Sequence, residues 1–140
     1  MIETAVAERW LYERLTGDAT LMGLLGNDPS RVVGYLAPEG TPEPFVVFQH
    51  QASSDLMVVN GERVWSDMVY VVKVVSRGDS FSQAWDIAQR VDAVLHRASG
   101  TVSTGEVLEC VRERILAYVE HDGKEMYRHV GGVYRIYARG

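Results

Sequence analysis

The chain has 140 residues, 46% of them hydrophobic, which suffices for one packed core and falls short of the usual length of two domains. Its net charge of -5 argues against a protein that wraps duplex nucleic acid, since such binding neutralises phosphates with Lys and Arg. One cysteine allows no intrachain disulfide, and no leader-like N-terminus or membrane-spanning run is present, so we expect one soluble, unprocessed domain over residues 1–140.

The first third of the chain predicts two helices and a short strand. Apolar residues at spacings of three and four predict a helix over Ile2–Thr16. Asp18 is a suitable N-cap for a second helix that continues to Leu25. Residues 31–36 predict a short strand, and the following segment, 37–44, contains three prolines that exclude regular structure.

Residues 45–76 predict one long β-hairpin. Two apolar runs flank Asn60-Gly61, a dipeptide that supplies the positive φ angles of a two-residue type I′ turn. Pairing outward from this turn opposes Leu56 to Trp65 and Val47 to Val74, so apolar positions face each other along the hairpin.

The predicted hairpin is longer than the diameter expected for the folded chain. Arms of about fifteen residues span about 50 Å, whereas a compact chain of this size is roughly 37 Å across. The tip should therefore project and contact another protein molecule, because it is too apolar to remain in water. The alternative is that 53–55 break the arm and the tip folds back over its own core. The predicted interface residues are Leu56, Met57, Val58, Val59, Asn60, Gly61 and Trp65.

A helix and a second hairpin are predicted in the remaining chain. Ser80 and Gln83 form a capping box that starts a helix reaching about Ala98. A polar loop over 99–105 follows. The second hairpin then has strands at 107–120 and 126–138.

Glycines suggest how this second hairpin is shaped. Asp122-Gly123 predicts its turn, and Gly131-Gly132 predicts a bulge or bend in its return strand. The element order is α-α-β-β-β-α-β-β. We expect an α+β fold in which helices pack on a largely antiparallel sheet.

No residue pattern indicates catalysis, a metal site or a cofactor. The four histidines, at 50, 96, 121 and 129, are too far apart for any metal-ligand spacing. Cys110 lies in an apolar, acidic strand, which favours a buried structural thiol over a nucleophile. The acidic residues between 106 and 120 alternate with Arg112 and Arg114, which predicts cross-strand charge pairing on a solvated face rather than a catalytic carboxylate pair.

Tyrosine and arginine alternate near the C-terminus, at Tyr127-Arg128, Tyr134-Arg135 and Tyr137 with Arg139. This pattern favours a strand with one core face and one outer face. Stacking of single-stranded nucleic acid on the tyrosines is the alternative, and a small enzyme with an unrecognised site is another.

The order of these features resembles that of the tail-terminator, or tail-completion, proteins of long-tailed bacteriophages and prophages. The resemblance covers nearly the full chain. It is carried by the N-terminal helix, the segment 18–26, the proline-rich loop running into a strand over 37–49, the long hairpin, the helix at 84–95 and the closing strand at 132–137.

The resemblance implies a structural virion protein that forms a homohexameric ring and has no catalytic residues or cofactor. Such a ring caps the tail tube, ends its elongation and provides the joining surface for the head. It therefore contacts the tail tube protein and a head-completion or connector protein. From the acidic balance of the chain we further expect that genomic DNA passes through the lumen without specific binding, since carboxylates repel phosphates. The single cysteine favours synthesis in the bacterial host cytoplasm. Another neck, head-closure or connector adaptor protein is the alternative within this class.

Overall fold

A computed structural model describes residues 2–57, 63–78 and 81–140 and confirms the predicted α+β class and order of elements. One further strand, β4, is inserted between the third helix and the second hairpin. No helix in these three ranges is long and apolar enough to cross a membrane. The elements are α1 Ile2–Thr16, α2 Ala19–Leu24, a 3-10 turn Pro29–Arg31, β1 Val32–Gly34, β2 Phe45–Met57, β3 Arg63–Arg77, α3 Ser82–Leu95, β4 Ala98–Val102, β5 Gly105–Asp122 and β6 Glu125–Arg139.

The strands form one sheet in the order β1-β2-β3-β6-β5-β4. Every neighbouring pair is antiparallel except β1 and β2, so the largely antiparallel sheet is confirmed. The predicted loop at 99–105 is wrong in its first half, where β4 pairs with the start of β5 and places Gly100 opposite Val107. A polar composition hid this strand because pairing with a neighbour, and not local propensity, holds it in place.

All three helices pack against the same side of the sheet, called here the helix face; the other side is the open face. The core on the helix face contains the regularly spaced apolar residues of α1 and most of the apolar residues of α3. Leu24 of α2 and Trp85 of α3 are apolar but remain 41% and 43% exposed. The largest fully buried side chains include Leu11, Leu15, Leu21, Leu25, Met68, Tyr70, Ile87, Leu95, Tyr134 and Ile136.

Polar side chains fix the helices on this core. Asp18 is the N-cap of α2 as predicted, and its Oδ2 accepts from the Leu21 N–H at 2.8 Å. Arg90 of α3 donates to both Asp18 oxygens, at 2.8 and 2.6 Å, and this contact lowers the pKa of Asp18. In α1, Glu8 accepts from the Tyr70 hydroxyl of β3 at 2.9 Å.

The third helix is shorter than predicted at its C-terminal end. It stops at Leu95 because Arg97 adopts a left-handed conformation with φ of 64° and directs the chain into β4. At its start, Phe81 is the N-cap and makes no side-chain capping bond. Ser80, the first residue of the predicted capping box, lies outside the described residues.

The predicted bulge at Gly131-Gly132 is wrong, because both glycines pair continuously with β3 and β5. The irregularities lie in β5, between Val107 and Glu109 and between Arg112 and Arg114. The glycines instead permit close packing of strands. A Cβ at Gly131 would overlap the Val72 carbonyl oxygen and lie 2.5 Å from Lys73 Cα.

The long hairpin has arms of 13 and 15 residues. Leu56 pairs with Trp65 as predicted. Val47 pairs with Lys73 and not with Val74, because β2 contains one extra residue between His50 and Ala52 that shifts the register by one. The turn predicted at Asn60-Gly61 lies outside the described residues.

Candidate assembly interface

The base of the predicted interface extends past the rest of the sheet. Pairing of β3 with β6 begins at Ser66, so the preceding residues 63–65 pair only with β2 in the part of the chain that the structure describes. The backbones of Leu56 and Met57 end β2. Their side chains fall outside the described residues, as do Val58, Val59, Asn60 and Gly61 entirely, so the hairpin tip as an interface stays a prediction.

Trp65 is the one predicted interface residue whose side chain is described, and it is half-buried at the end of the sheet. With Leu108, Glu109 and Tyr137 it lines an open depression of about 270 Å³. The Trp65 indole Nε1 is buried and has no hydrogen-bond partner within the described ranges. A buried indole N–H usually donates to an acceptor, and the described residues supply none for the Trp65 N–H.

Two stretches of sheet edge carry no neighbouring strand. On one side, β1 covers only residues 46–48 of β2, and the Tyr35 N–H just beyond β1 donates to the Phe48 carbonyl oxygen at 2.8 Å. On the other side, β4 covers β5 as far as Cys110, and the Arg112 N–H donates to His96 Nδ1 at 3.1 Å. Beyond these points no described strand pairs with the outer side of β2 at residues 51–57 or with the outer side of β5 at residues 113–122. These two stretches are called here the free edge of β2 and the free edge of β5.

The middle of the free edge of β5, residues 115–119, is apolar. Ile115 is 57% exposed, and Tyr118 and Val119 are 44% and 46% exposed. On the helix face, Ile115 also borders a groove of about 300 Å³ lined by Trp85 of α3. Exposed apolar strand edges are usually suppressed in soluble proteins because they invite strand addition, so this edge is a candidate protein contact.

Sequence reasoning missed this second edge, although a signal was present. Residues 115–119, Ile-Leu-Ala-Tyr-Val, are apolar without alternation. A strand with one buried and one wet face alternates, so an unbroken apolar run predicts a strand covered on both faces. Here neither face of the run is fully covered by the chain itself.

A compact polar cluster occupies the open face next to this edge. The Tyr118 ring stacks on His129 with centroids 4.4 Å apart, and Lys73 Nζ donates to the Tyr118 hydroxyl at 2.6 Å. His129 Nε2 lies 2.8 Å from Glu120 Oε1. Burial lowers the pKa of His129, which favours its neutral form. These groups bond mainly to one another, and this arrangement supports the β5–β6 hairpin.

The residues weighed for catalysis lie apart. His50 is in β2, His96 follows α3, and His121 and His129 are in β5 and β6. Among the described residues no group of His, Cys, Asp and Glu could hold a metal ion. Cys110 is fully buried, and burial raises the pKa of its thiol, the opposite of what activates a nucleophile.

The charged residues of the second hairpin pair across its strands, as predicted. Carboxylates of β5 contact arginines of β6 and not Arg112 or Arg114 of β5 itself. Glu106 pairs with Arg139, and Glu113 lies 3.6 Å from Arg135. Tyr134 is buried on the helix face and donates to Asp92 at 2.9 Å, so it is not available for stacking a base.

Comparison with known proteins assigns the chain to a family. Residues 9–137 match the model of the family described as tail completion protein gp17. No curated protein sequence matches. Eleven chains of solved structures match, and one of them comes from the virion of a native gene transfer agent particle. That chain superposes with a TM-score of 0.79 at 20% identity, over 98% of this chain and 97% of its own length, which shows a shared fold. Because the family match covers nearly the whole sequence, the chain belongs to the tail completion proteins, a family of structural components of phage tails.

Proposed function

We propose that six copies of this chain, each a single domain over residues 1–140, form a ring that caps the tail tube. The ring ends tube elongation and gives the head its joining surface. One side contacts the tail tube protein, and the other contacts a head-completion or connector protein. The protein acts in the virion after synthesis in the host cytoplasm, as a structural component and not as an enzyme.

The observation that carries this proposal is the family match over residues 9–137. The two free edges support it, because they are different surfaces on opposite sides of one sheet. A contact between two different surfaces of identical chains is heterologous, and heterologous contacts produce rings when the rotation closes. The projecting hairpin supplies a further surface for the tube.

The acidic character of the chain suits a ring through which DNA passes. A net charge of -5 makes the average surface repel phosphates, so that genomic DNA slides through the lumen without specific binding. Carboxylates lining the lumen would produce this effect. Replacing lumen carboxylates by lysines should slow DNA passage, and unchanged passage would contradict the role of charge.

A tube elongation assay tests the capping role. Tail tube protein is polymerised with and without the purified chain, and tube lengths are measured by electron microscopy. A capping ring gives shorter tubes with a ring at one end, at one ring per tube. Unchanged tube lengths, with the chain bound instead to purified connectors, would refute capping and favour a head-closure or adaptor protein.

A further inference from the structure

We infer that neighbouring copies join by strand pairing between the free edge of β2 in one copy and the free edge of β5 in the next. The sheets of the ring then form one continuous β-barrel. The inference rests on the proposed ring and names the surfaces that close it.

The two edges have suitable length and direction. The free edge of β2 has seven residues and that of β5 has ten, so all seven, about 23 Å of strand, can be paired. Each strand from β2 through β3 and β6 to β5 is antiparallel to the previous one, so β2 and β5 run in opposite directions. Copies with the same face outward would therefore pair in the antiparallel arrangement, which is slightly the more stable one.

Side-chain direction fixes the register. Ser53 pairs with Met68, which is buried on the helix face, and Ala117 pairs with Val130, which is buried on the same face. Cross-strand partners point to the same side of a sheet, so Ser53 and Ala117 both belong to the helix face. Placing Ser53 opposite Ala117 of the neighbour pairs 51–57 with 119–113 and keeps all helices on one side of the barrel.

The offset between the edges matches the geometry of a closed barrel. Ser53 pairs with Met68, which pairs with Ile136 of β6, whereas Ala117 pairs with Val130 of the same strand. Ile136 and Val130 are six residues apart, so the two edge positions are offset by about 20 Å along the strands. Four strands per copy span about 19 Å across the sheet. Each copy thus shifts the register by about 20 Å over about 19 Å of sheet width, so a closed ring would have its strands tilted by about 45° from the ring axis. Closed barrels typically have strand tilts of about 35–45°. Six copies would then enclose a barrel about 50 Å in diameter.

The apolar side chains of the β5 edge acquire a function in this arrangement. Ile115 and Val119 flank Ala117 on the helix face and are 57% and 46% exposed in the single chain. The neighbour's strand would lie beside them and remove part of this surface from water. Natural edge strands are blunted by proline, lysine or strong bulges, and residues 115–119 contain none of these. The irregularity between Arg112 and Arg114 lies at the end of the proposed contact, opposite Met57 of the neighbour.

Engineered disulfides test the predicted register. Within one chain, positions 53 and 117 are separated by three strand spacings and six residues along β6, about 25 Å in all. A disulfide needs Cα atoms within about 7 Å, so a bond between Ser53→Cys and Ala117→Cys can form only between copies. Cys110 remains in place because it is fully buried.

Oxidised rings of the S53C/A117C chain should give a ladder of covalent oligomers up to six copies on a non-reducing gel. The matched control is S54C/A117C, which should not link because Ser54, paired with Asp67, points to the open face. Assembled rings that give no ladder with S53C/A117C, or an equal ladder with the control, would overturn the inference and leave the proposed ring intact. Failure of the wild-type chain to form rings would instead contradict the proposed function.

A second variant pair tests the edge without cysteine chemistry. Ala117→Lys places a charge in the strand contact and should raise the concentration for half-assembly at least tenfold, with unchanged far-UV circular dichroism. Ala117→Val keeps the edge apolar and should assemble like the wild type. Equal assembly of the Lys and Val variants would refute edge pairing.

Discussion

Replacing Gly131 by alanine should destabilise the fold by about 3 kcal/mol, because the new methyl group has no space between β3 and β6. Its Cβ would overlap the Val72 carbonyl oxygen and lie 2.5 Å from Lys73 Cα, whereas ordinary contacts begin at 3.4 Å. The strands would have to separate by about 1 Å. Overpacking typically costs about 1–3 kcal/mol, and this clash belongs at the upper end because backbone atoms cannot rotate away.

Thermal unfolding followed by circular dichroism measures this effect. For a chain of this length 1 kcal/mol corresponds to about 3–4 °C, so the midpoint should fall by about 10 °C. Gly23→Ala is the matched control, because Gly23 lies inside α2 with nothing within 4 Å of a new Cβ. It should raise the midpoint by a few degrees, since alanine is favoured over glycine in helices by about 1 kcal/mol. A G131A midpoint within 2 °C of the wild type would refute the close approach of β3 and β6.

Two further predictions concern the α2 cap and the hairpin tip. Asp18→Ala should cost about 1–2 kcal/mol at pH 7 through loss of the cap to Leu21 and of the contact with Arg90. Because the pKa of Asp18 is lower in the folded chain than its ordinary 3.8, this contribution is complete above 3.8 and is lost as the pH falls through the folded value. A stability difference, measured by denaturant unfolding, that does not shrink as the pH falls below 3.8 would contradict it. The double variant Leu56→Glu/Trp65→Glu should keep the fold and lose ring formation or tube capping, and unchanged assembly in light scattering would refute the tip as an interface.

Local sequence signals were sufficient for the helices and hairpins. The spacing of apolar residues in α1 and the side chain of Asp18 act within a few residues, so the structure confirms both. The Leu56–Trp65 pairing also follows from the nearby predicted turn. Farther from the turn, an extra residue in β2 changed the register, and no local pattern marks that residue.

Features that depend on distant neighbours were not predicted. The strand β4 is held by β5, and Gly131 is explained by the backbone of β3, nearly sixty residues earlier in the chain. The free edge of β5 is defined by the end of β4, so it becomes visible only when the sheet order is known. The hairpin tip could be proposed from composition alone because its apolar residues flank a recognisable turn.

The particle mass in solution, measured by light scattering for the chain alone and with tail tube protein, tests the proposed ring most directly. A six-copy ring predicts a particle of six times the 15.6 kDa chain mass, formed in solution or on the end of the tube. A chain that stays monomeric at high concentration and also fails to bind tube ends would contradict it.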